Sequence, residues 1–141
     1  MDGYGKRVLV VEDDSFARDM LASIFLQAGY NVHAASDGQE ALMEMKRRRF
    51  DAVVTDCHMP RLNGVELLSV ARIVWPDTPM VLVSGDQLDM PDLALRHGAY
   101  AYVQKPYEPS YLLAIVGEAI HASPGGPSCP VTVSHDRIEC P

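Results

Sequence analysis

The sequence predicts an α/β fold, (βα)5, in which helices cover both faces of a doubly wound parallel sheet of five strands. Short apolar runs rich in β-branched residues alternate with amphipathic stretches along the chain. The runs are almost continuously apolar, which is typical of parallel strands that are buried on both faces and joined by right-handed crossovers. At 141 residues the chain has the length of one domain.

The predicted strands are five apolar runs at regular spacing. They are RVLVV (7–11), NVHAA (31–35), DAVVT (51–55), MVLVS (80–84) and YAYVQ (100–104). Each interval between two runs is long enough for one helix, which is the pattern of a parallel sheet.

Apolar residues at helical spacing predict a helix in each interval and a fifth helix after the last strand. Four of these helices carry Phe16, Met20, Leu21, Ile24 and Phe25; Ala41, Leu42 and Met45; Val65, Leu68, Ala71 and Ile73; and Tyr111, Leu112, Ile115, Val116 and Ala119. The fourth helix must be short, from about 90 to 97, because Pro91 fits only its first turn, with Asp89 as the cap.

The residues at the helix ends agree with this pattern. Asp14 is the predicted N-cap of the first helix, and Gly29 follows that helix as a C-cap. Ser36 or Asp37 caps the second helix, and Asn63 with Gly64 ends the loop before the third.

Residues 1–121 form the predicted domain, and the composition changes from about residue 122. The stretch ASPGGPSCP is rich in Pro, Gly and Ser, as linkers are, and VTVSHDRIECP contains a short possible strand. Four interpretations of the segment 122–141 stay open. It is a native tail, the stub of a lost output domain, a strand that pairs with another chain, or a vector-derived extension.

Composition and charge exclude several classes of protein. The formal net charge of -7 opposes direct nucleic-acid binding, and KRRR (46–49) is interpreted as the solvated end of a helix. No run has the roughly 18 apolar residues of a membrane span, so we expect a cytoplasmic protein without membrane contact. Cys57, Cys129 and Cys140 have no CxxC spacing, which argues against a zinc site or a disulfide framework.

Charged and hydroxyl side chains follow the predicted strands at their carboxyl ends, where ligands bind in such sheets. They are Glu12, Asp13 and Asp14 after the first strand, Asp56 after the third, Ser84 after the fourth and Lys105 after the fifth. Carboxylates held close together repel unless a cation lies between them. A few oxygen ligands with room for water or phosphate oxygens favour Mg2+. The residues predict phosphoryl transfer to Asp56 as the nucleophile, with Lys105 and the metal neutralising charge.

The motifs at these strand ends resemble those of the receiver domains of bacterial two-component response regulators, the family that includes the chemotaxis regulator. The matching stretches are VLVVEDD (8–14), VVTDCHMP with NG (53–64), VLVSG (81–85) and GAYAYVQKP (98–106). The resemblance covers roughly residues 6–121 and implies the flavodoxin-like strand order 2-1-3-4-5.

The resemblance implies a role for each residue around Asp56. Asp56 accepts a phosphoryl group from a sensor histidine kinase or a phosphotransfer protein. Asp13, Asp56 and the backbone carbonyl of His58 ligate Mg2+, and Glu12 acts through a metal-bound water. Lys105 pairs with the phosphoryl group, and its peptide bond to Pro106 is expected to be cis.

The resemblance also implies a switch in this phosphoprotein. Ser84 turns its hydroxyl toward the phosphoryl oxygens, and Tyr102 changes rotamer with it. The face formed by the fourth helix, fifth strand and fifth helix adjoins both residues, so we expect it to bind a downstream protein or a lost output domain, or to form a homodimer. The protein is then a phosphoacceptor with Mg2+-dependent self-phosphorylation and autodephosphorylation, not an enzyme.

His58 and Asp86 each follow a site residue by two positions, Asp56 and Ser84 respectively. Both overhang the mouth of the site, where the hydrolytic water must enter. We predict that they tune dephosphorylation and that the two pair with each other. A solvent-exposed His58 without such a role is the alternative.

Three other functions fit the sequence less well than that of a receiver domain. An aspartyl-phosphate phosphatase would need a second acid at position 58, which is histidine. A flavin-binding protein of the same fold class would need a phosphate-binding loop after the first strand. This chain has the acidic stretch EDDSFAR there, which would repel the flavin phosphate. A receiver-like interaction module that works without phosphorylation should have lost the acidic pair, the aspartate or the lysine, and this chain retains all of them.

Overall fold

The computed structural model of the chain describes residues 5–59, 61–85, 95–122, 131–133 and 138–139. The strands are β1 (Arg7–Val11), β2 (Asn31–Ala35), β3 (Ala52–Asp56), β4 (Met80–Ser84), β5 (Ala101–Gln104), β6 (Val131–Val133) and β7 (Ile138–Glu139). The helices are α1 (Ser15–Gln27), α2 (Gly38–Arg47), α3 (Gly64–Val74) and α4 (Pro109–His121). Helix α4 is the one that the sequence predicts after the fifth strand, whereas most of the helix predicted at about 90–97 lies outside the described residues.

The sheet has the order β2-β1-β3-β4-β5-β6-β7, and its first five strands are parallel. The predicted five-stranded parallel sheet in the order 2-1-3-4-5 is therefore confirmed. Two short strands from the predicted tail extend it, because β6 pairs with β5 in parallel and β7 pairs with β6 antiparallel.

Side-chain caps begin three helices at the positions where the sequence predicts them. The side chain of Asp14 accepts a hydrogen bond from the Ala17 amide, that of Asp37 from Glu40, and that of Asn63 from Glu66. Asn63 and Glu66 form a complete capping box. These bonds satisfy amides that have no partner within a helix, and they fix where each loop from the carboxyl edge of the sheet ends.

Alternate residues of each central strand enter two separate cores. On β1, Val8 and Val10 pack toward α1 and α4, whereas Leu9 and Val11 pack toward α2 and α3. All four are fully buried. Burial on both faces explains why the strand is apolar at every position.

The parallel arrangement brings the carboxyl ends of β1, β3, β4 and β5 to one edge of the sheet. Val11 of β1 lies beside Thr55 of β3, and Ser84 of β4 lies beside Gln104 of β5. The next residue along each strand therefore opens onto the same edge. Among the described residues, no helix combines the length and apolar character needed to cross a membrane.

Candidate functional site

Three carboxylates converge at the carboxyl edge of the sheet. Glu12 and Asp13 follow β1, and Asp56 ends the neighbouring strand β3. One carboxylate oxygen from each residue lies within 4.8 Å of the other two. Glu12 and Asp56 are mostly buried and Asp13 is exposed, so the group opens to solvent on one side. This donor set consists only of hard oxygens and leaves space for further ligands, which fits Mg2+.

Lys105 supplies the positive charge of the site from the end of β5. Its Nζ lies 3.2 Å from Glu12 Oε1 and 3.8 Å from Asp56 Oδ2. Burial would lower the pKa of Lys105, but the negative charges of Asp56 and Glu12 outweigh it and raise that pKa above its usual value. The lysine is therefore charged at neutral pH. The Lys105-Pro106 peptide bond is cis, as the resemblance implies.

The carboxyl groups of Glu12 and Asp13 interact with each other. The pKa of Asp13 is raised, chiefly by its hydrogen bond with Glu12 and also by burial and by the charge on Glu12. Glu12 Oε2 also accepts a hydrogen bond from the Asp14 amide at the start of α1, at 3.2 Å. With three carboxylates and one ammonium group, the site has a net negative charge that favours a divalent cation.

The loop between β3 and α3 wraps around Asp56. The His58 amide donates to Asp56 Oδ1 at 3.4 Å, and the Cys57 amide donates to the Val83 carbonyl at 3.1 Å. Cys57 is buried and His58 is exposed. The loop thus holds its backbone close to the acceptor carboxylate while the His58 side chain faces outward.

The two predicted switch residues lie on adjacent strands beside the carboxylates. Ser84 ends β4 and is fully buried, and its carbonyl accepts a hydrogen bond from the Lys105 amide at 2.8 Å. Tyr102 lies on β5, is 4% exposed, and packs in the core on the α2 and α3 side. Asp86 lies outside the described residues, so its predicted pairing with His58 stays a prediction.

An apolar cleft of about 400 Å3 adjoins the carboxylates, and the sequence did not predict it. Met20, Ile24, Pro106 and Tyr107 contribute to its walls, together with Asp56 and Lys105. Burial raises the pKa of Tyr107 and keeps its phenol neutral. Met20, which lines the cleft, is 56% exposed, and Phe16 on the same helix is 74% exposed, although both belong to the apolar spacing that predicts α1.

Comparisons with known proteins agree with this geometry. The family model described as the response regulator receiver domain matches residues 8–117. Chemotaxis protein CheY of Thermotoga maritima is 36% identical over 108 residues, which cover 75% of this chain and 90% of that protein. DNA-binding response regulator MtrA of Mycobacterium tuberculosis is 30% identical over 145 residues, which cover 100% of this chain but only 62% of that protein.

Solved structures show the same fold. A CheY-like receiver domain protein of Methanospirillum hungatei has a TM-score of 0.77 and 32% identity, with 82% of this chain and 93% of that chain covered. The CheX-CheY-BeF3-Mg complex of Borrelia burgdorferi has a TM-score of 0.78 and 26% identity, with 84% and 92% covered. Receiver domains are switches of two-component signalling rather than conventional enzymes, and they bind Mg2+ at an acidic pocket. The chain belongs to the response regulator receiver domain family.

Proposed function

We propose that Asp56 is the phosphoacceptor of a signalling switch and that a histidine kinase or a phosphotransfer protein is the donor. The observation that carries this proposal is the group of three carboxylates facing the Lys105 ammonium at the carboxyl edge of the sheet. Asp13, Asp56 and the His58 carbonyl would hold Mg2+, and Glu12 would contact it through water. Bound Mg2+ would neutralise charge on the transferring phosphoryl oxygens.

The chemistry assigned to the protein's own residues is an in-line transfer. An Asp56 carboxylate oxygen attacks the phosphorus atom of a phosphohistidine, and the phosphorus–nitrogen bond breaks with its electrons returning to the imidazole. Lys105 lies 3.8 Å from Asp56 Oδ2, close enough for its ammonium to stabilise the negative phosphoryl oxygens. Catalysis here is mainly positioning and charge stabilisation.

The apolar cleft next to Asp56 is a docking surface for the phosphodonor in this proposal. A donor must place its histidine at Asp56, and the cleft walls from α1 and the Pro106–Tyr107 segment are the neighbouring surface. Met20 of the cleft wall and the exposed Phe16, one turn earlier on α1, would bury apolar area against the donor. Contacts of this kind would select the partner, whereas the carboxylates perform the transfer.

Phosphorylation would change the contacts of β4 and β5. A phosphoryl group adds charge and acceptor oxygens at Asp56, which attract the Ser84 hydroxyl and Lys105. Tyr102 lies on the strand beside Ser84, so it would move with the Ser84 loop. We propose that the face around β5 and α4 then binds a downstream protein, an output domain or a second copy of the chain.

The lifetime of the phosphoryl group is assigned to His58 and Asp86 in this proposal. His58 is exposed immediately after Asp56 and Cys57, where a hydrolytic water can approach. Together with Asp86 it would orient or exclude this water. Replacing His58 by Asn should change the dephosphorylation rate, and an unchanged rate would remove His58 from this role.

Phosphorylation with a small donor tests the proposed function. The protein is incubated with acetyl phosphate, with and without Mg2+, and its intact mass is measured. We expect one phosphoryl group that requires Mg2+ and is absent from Asp56→Asn. Asp51→Asn is the matched control, because Asp51 lies at the opposite end of β3 and should leave the addition intact. A mass unchanged under every condition would contradict the proposal and favour an interaction module that does not switch. Addition to Asp56→Asn would also contradict it, because the phosphoryl group would then be on another residue.

A further inference from the structure

The start of α2 contacts the loop that follows Asp56, although the two segments are far apart in sequence. The Gly38 amide donates a hydrogen bond to the Leu62 carbonyl at 3.1 Å. Beside it, Arg61 Nη2 donates to Asp37 Oδ2 in a close ion pair. The structure describes every residue of this loop, 57–63, except residue 60. We call these two contacts the α2 clamp.

Asp37 is held by the helix that it caps. Its Oδ1 accepts a hydrogen bond from the Glu40 amide at 2.9 Å, and its side chain is 2% exposed. The Glu40 hydrogen bond is the main cause that lowers the pKa of Asp37, and Arg61 lowers it further. The carboxylate is therefore ionised and fixed in position. It presents its second oxygen to the loop.

Arg61 adopts a backbone conformation that needs support from its surroundings. Its φ is 68°, and it is the only residue other than glycine with a positive φ in the described part of the chain. Such a conformation is unfavourable for a residue with a long side chain and persists where neighbouring contacts impose it. The guanidinium bound to Asp37 and the adjacent Leu62 carbonyl bound to Gly38 are contacts of this kind.

The clamp leaves no space between α2 and the loop. A Cβ at Gly38 would overlap the Leu62 carbonyl oxygen. At the end of the loop, the Gly64 amide donates to the Cys57 carbonyl at 3.0 Å, and a Cβ at Gly64 would overlap the Asp56 carbonyl oxygen. The loop is thus fixed at Asp56 and Cys57 by Gly64 and in its middle by α2.

From these contacts we infer that Asp37 and Arg61 are positioning residues, which hold the 57–63 loop so that the His58 carbonyl and Asp56 present their oxygens to the cation. This inference rests on the proposed function, because it concerns the same carboxylate site. Asp37 would act indirectly, through its contact with Arg61 and the loop backbone. Groups that orient metal ligands in this indirect way commonly determine a large part of the metal affinity.

Three variants test the clamp without removing the helix cap. Asp37→Asn keeps a capping oxygen for the Glu40 amide, because asparagine caps helices as well as aspartate, but it removes the charge that holds Arg61. Arg61→Gln removes the other partner, and the double variant completes a mutant cycle. Ser36→Ala is the matched control, because it removes the neighbouring Ser36–Glu40 hydrogen bond and leaves the clamp in place.

Two readouts are measured, Mg2+ affinity by calorimetry and hydrogen exchange of the 57–63 amides in the metal-free protein. We expect each single variant to weaken Mg2+ binding about tenfold, the lower end for groups that orient ligands. The double variant should bind Mg2+ no more weakly than either single variant. Hydrogen exchange of the loop amides should be faster in all three variants than in the wild type. Arg61→Lys should restore part of the affinity, because it keeps the charge.

The outcomes separate this inference from the proposed function. Mg2+ affinity and loop exchange within twofold of the wild type in Asp37→Asn and Arg61→Gln would overturn the positioning role, even if the variants were less stable. Affinity losses that simply add in the double variant would overturn the coupling between the two residues. A wild-type protein that binds no Mg2+ and accepts no phosphoryl group would refute the proposed function itself, and the inference with it.

Discussion

Without metal, the Asp13→Asn variant should be more stable than the wild type. With Mg2+ present, it should be less stable than the wild type. Asp13 is exposed, with an oxygen within 4.8 Å of oxygens of Glu12 and Asp56. Its raised pKa means that the folded state disfavours the ionised form. A carboxyl group whose pKa rises on folding costs stability at a pH above that pKa, so the charge of Asp13 opposes folding at pH 7.

The distances give the size of the effect. Two unit charges 4.8 Å apart repel by about 0.9 kcal/mol at the dielectric constant of water, which suits the exposed Asp13. Two such neighbours give about 1.8 kcal/mol, and the Lys105 ammonium offsets part of it. We expect Asp13→Asn to raise the free energy of unfolding by about 1 kcal/mol without metal. Mg2+ at a hundredfold excess over its Kd stabilises a binding protein by about 2.7 kcal/mol, and the variant should lose most of this gain.

Urea unfolding at pH 7 in EDTA and in saturating Mg2+ measures both effects as shifts of the midpoint. Asp77→Asn is the matched control, since Asp77 is exposed near the opposite edge of the sheet and its substitution changes the net charge equally. The order of stability of wild type and Asp13→Asn should reverse between the two conditions. A variant that is no more stable in EDTA would refute the repulsion argument, and an undiminished Mg2+ effect would show that Asp13 is not a ligand.

Three further predictions follow from the contacts of single residues. Gly117→Ala should stabilise the protein by about 1 kcal/mol in urea unfolding, because a Cβ there meets no atom within 4 Å and alanine favours the helix. Gly64→Ala makes the same chemical change but should destabilise by about 2 kcal/mol and weaken Mg2+ binding, because its Cβ overlaps the Asp56 carbonyl; equal effects of the two substitutions would contradict the packing. The pKa of His33 is lowered by burial and by the charges of Arg48 and Arg7, despite Glu44, so protonation opposes folding and stability should fall as the pH drops below 6.5. His33→Gln should reduce this pH dependence between pH 7.5 and 5.5, and an unchanged slope would exclude His33 as its source.

The sheet and the residues of the candidate site could be predicted from the amino-acid sequence. Apolar runs separated by helical periodicity require a parallel sheet, and a parallel sheet places the ends of its strands at one edge. Glu12 and Lys105 are 93 positions apart, yet their approach to 3.2 Å could be expected from their places after β1 and β5. Caps such as Asp14 and Asn63 could also be predicted, because a helix N-cap depends on a few adjacent residues.

The surfaces and contacts that complete the site depend on how the helices and loops pack together. Helical spacing identifies apolar positions but not their exposure, so Phe16 and Met20 could not be distinguished from buried residues such as Leu21. The positive φ of Arg61 and its pairing with Asp37 depend on how α2 packs beside the β3–α3 loop. No local pattern encodes such a contact, because its energy exists only when the two segments are folded together.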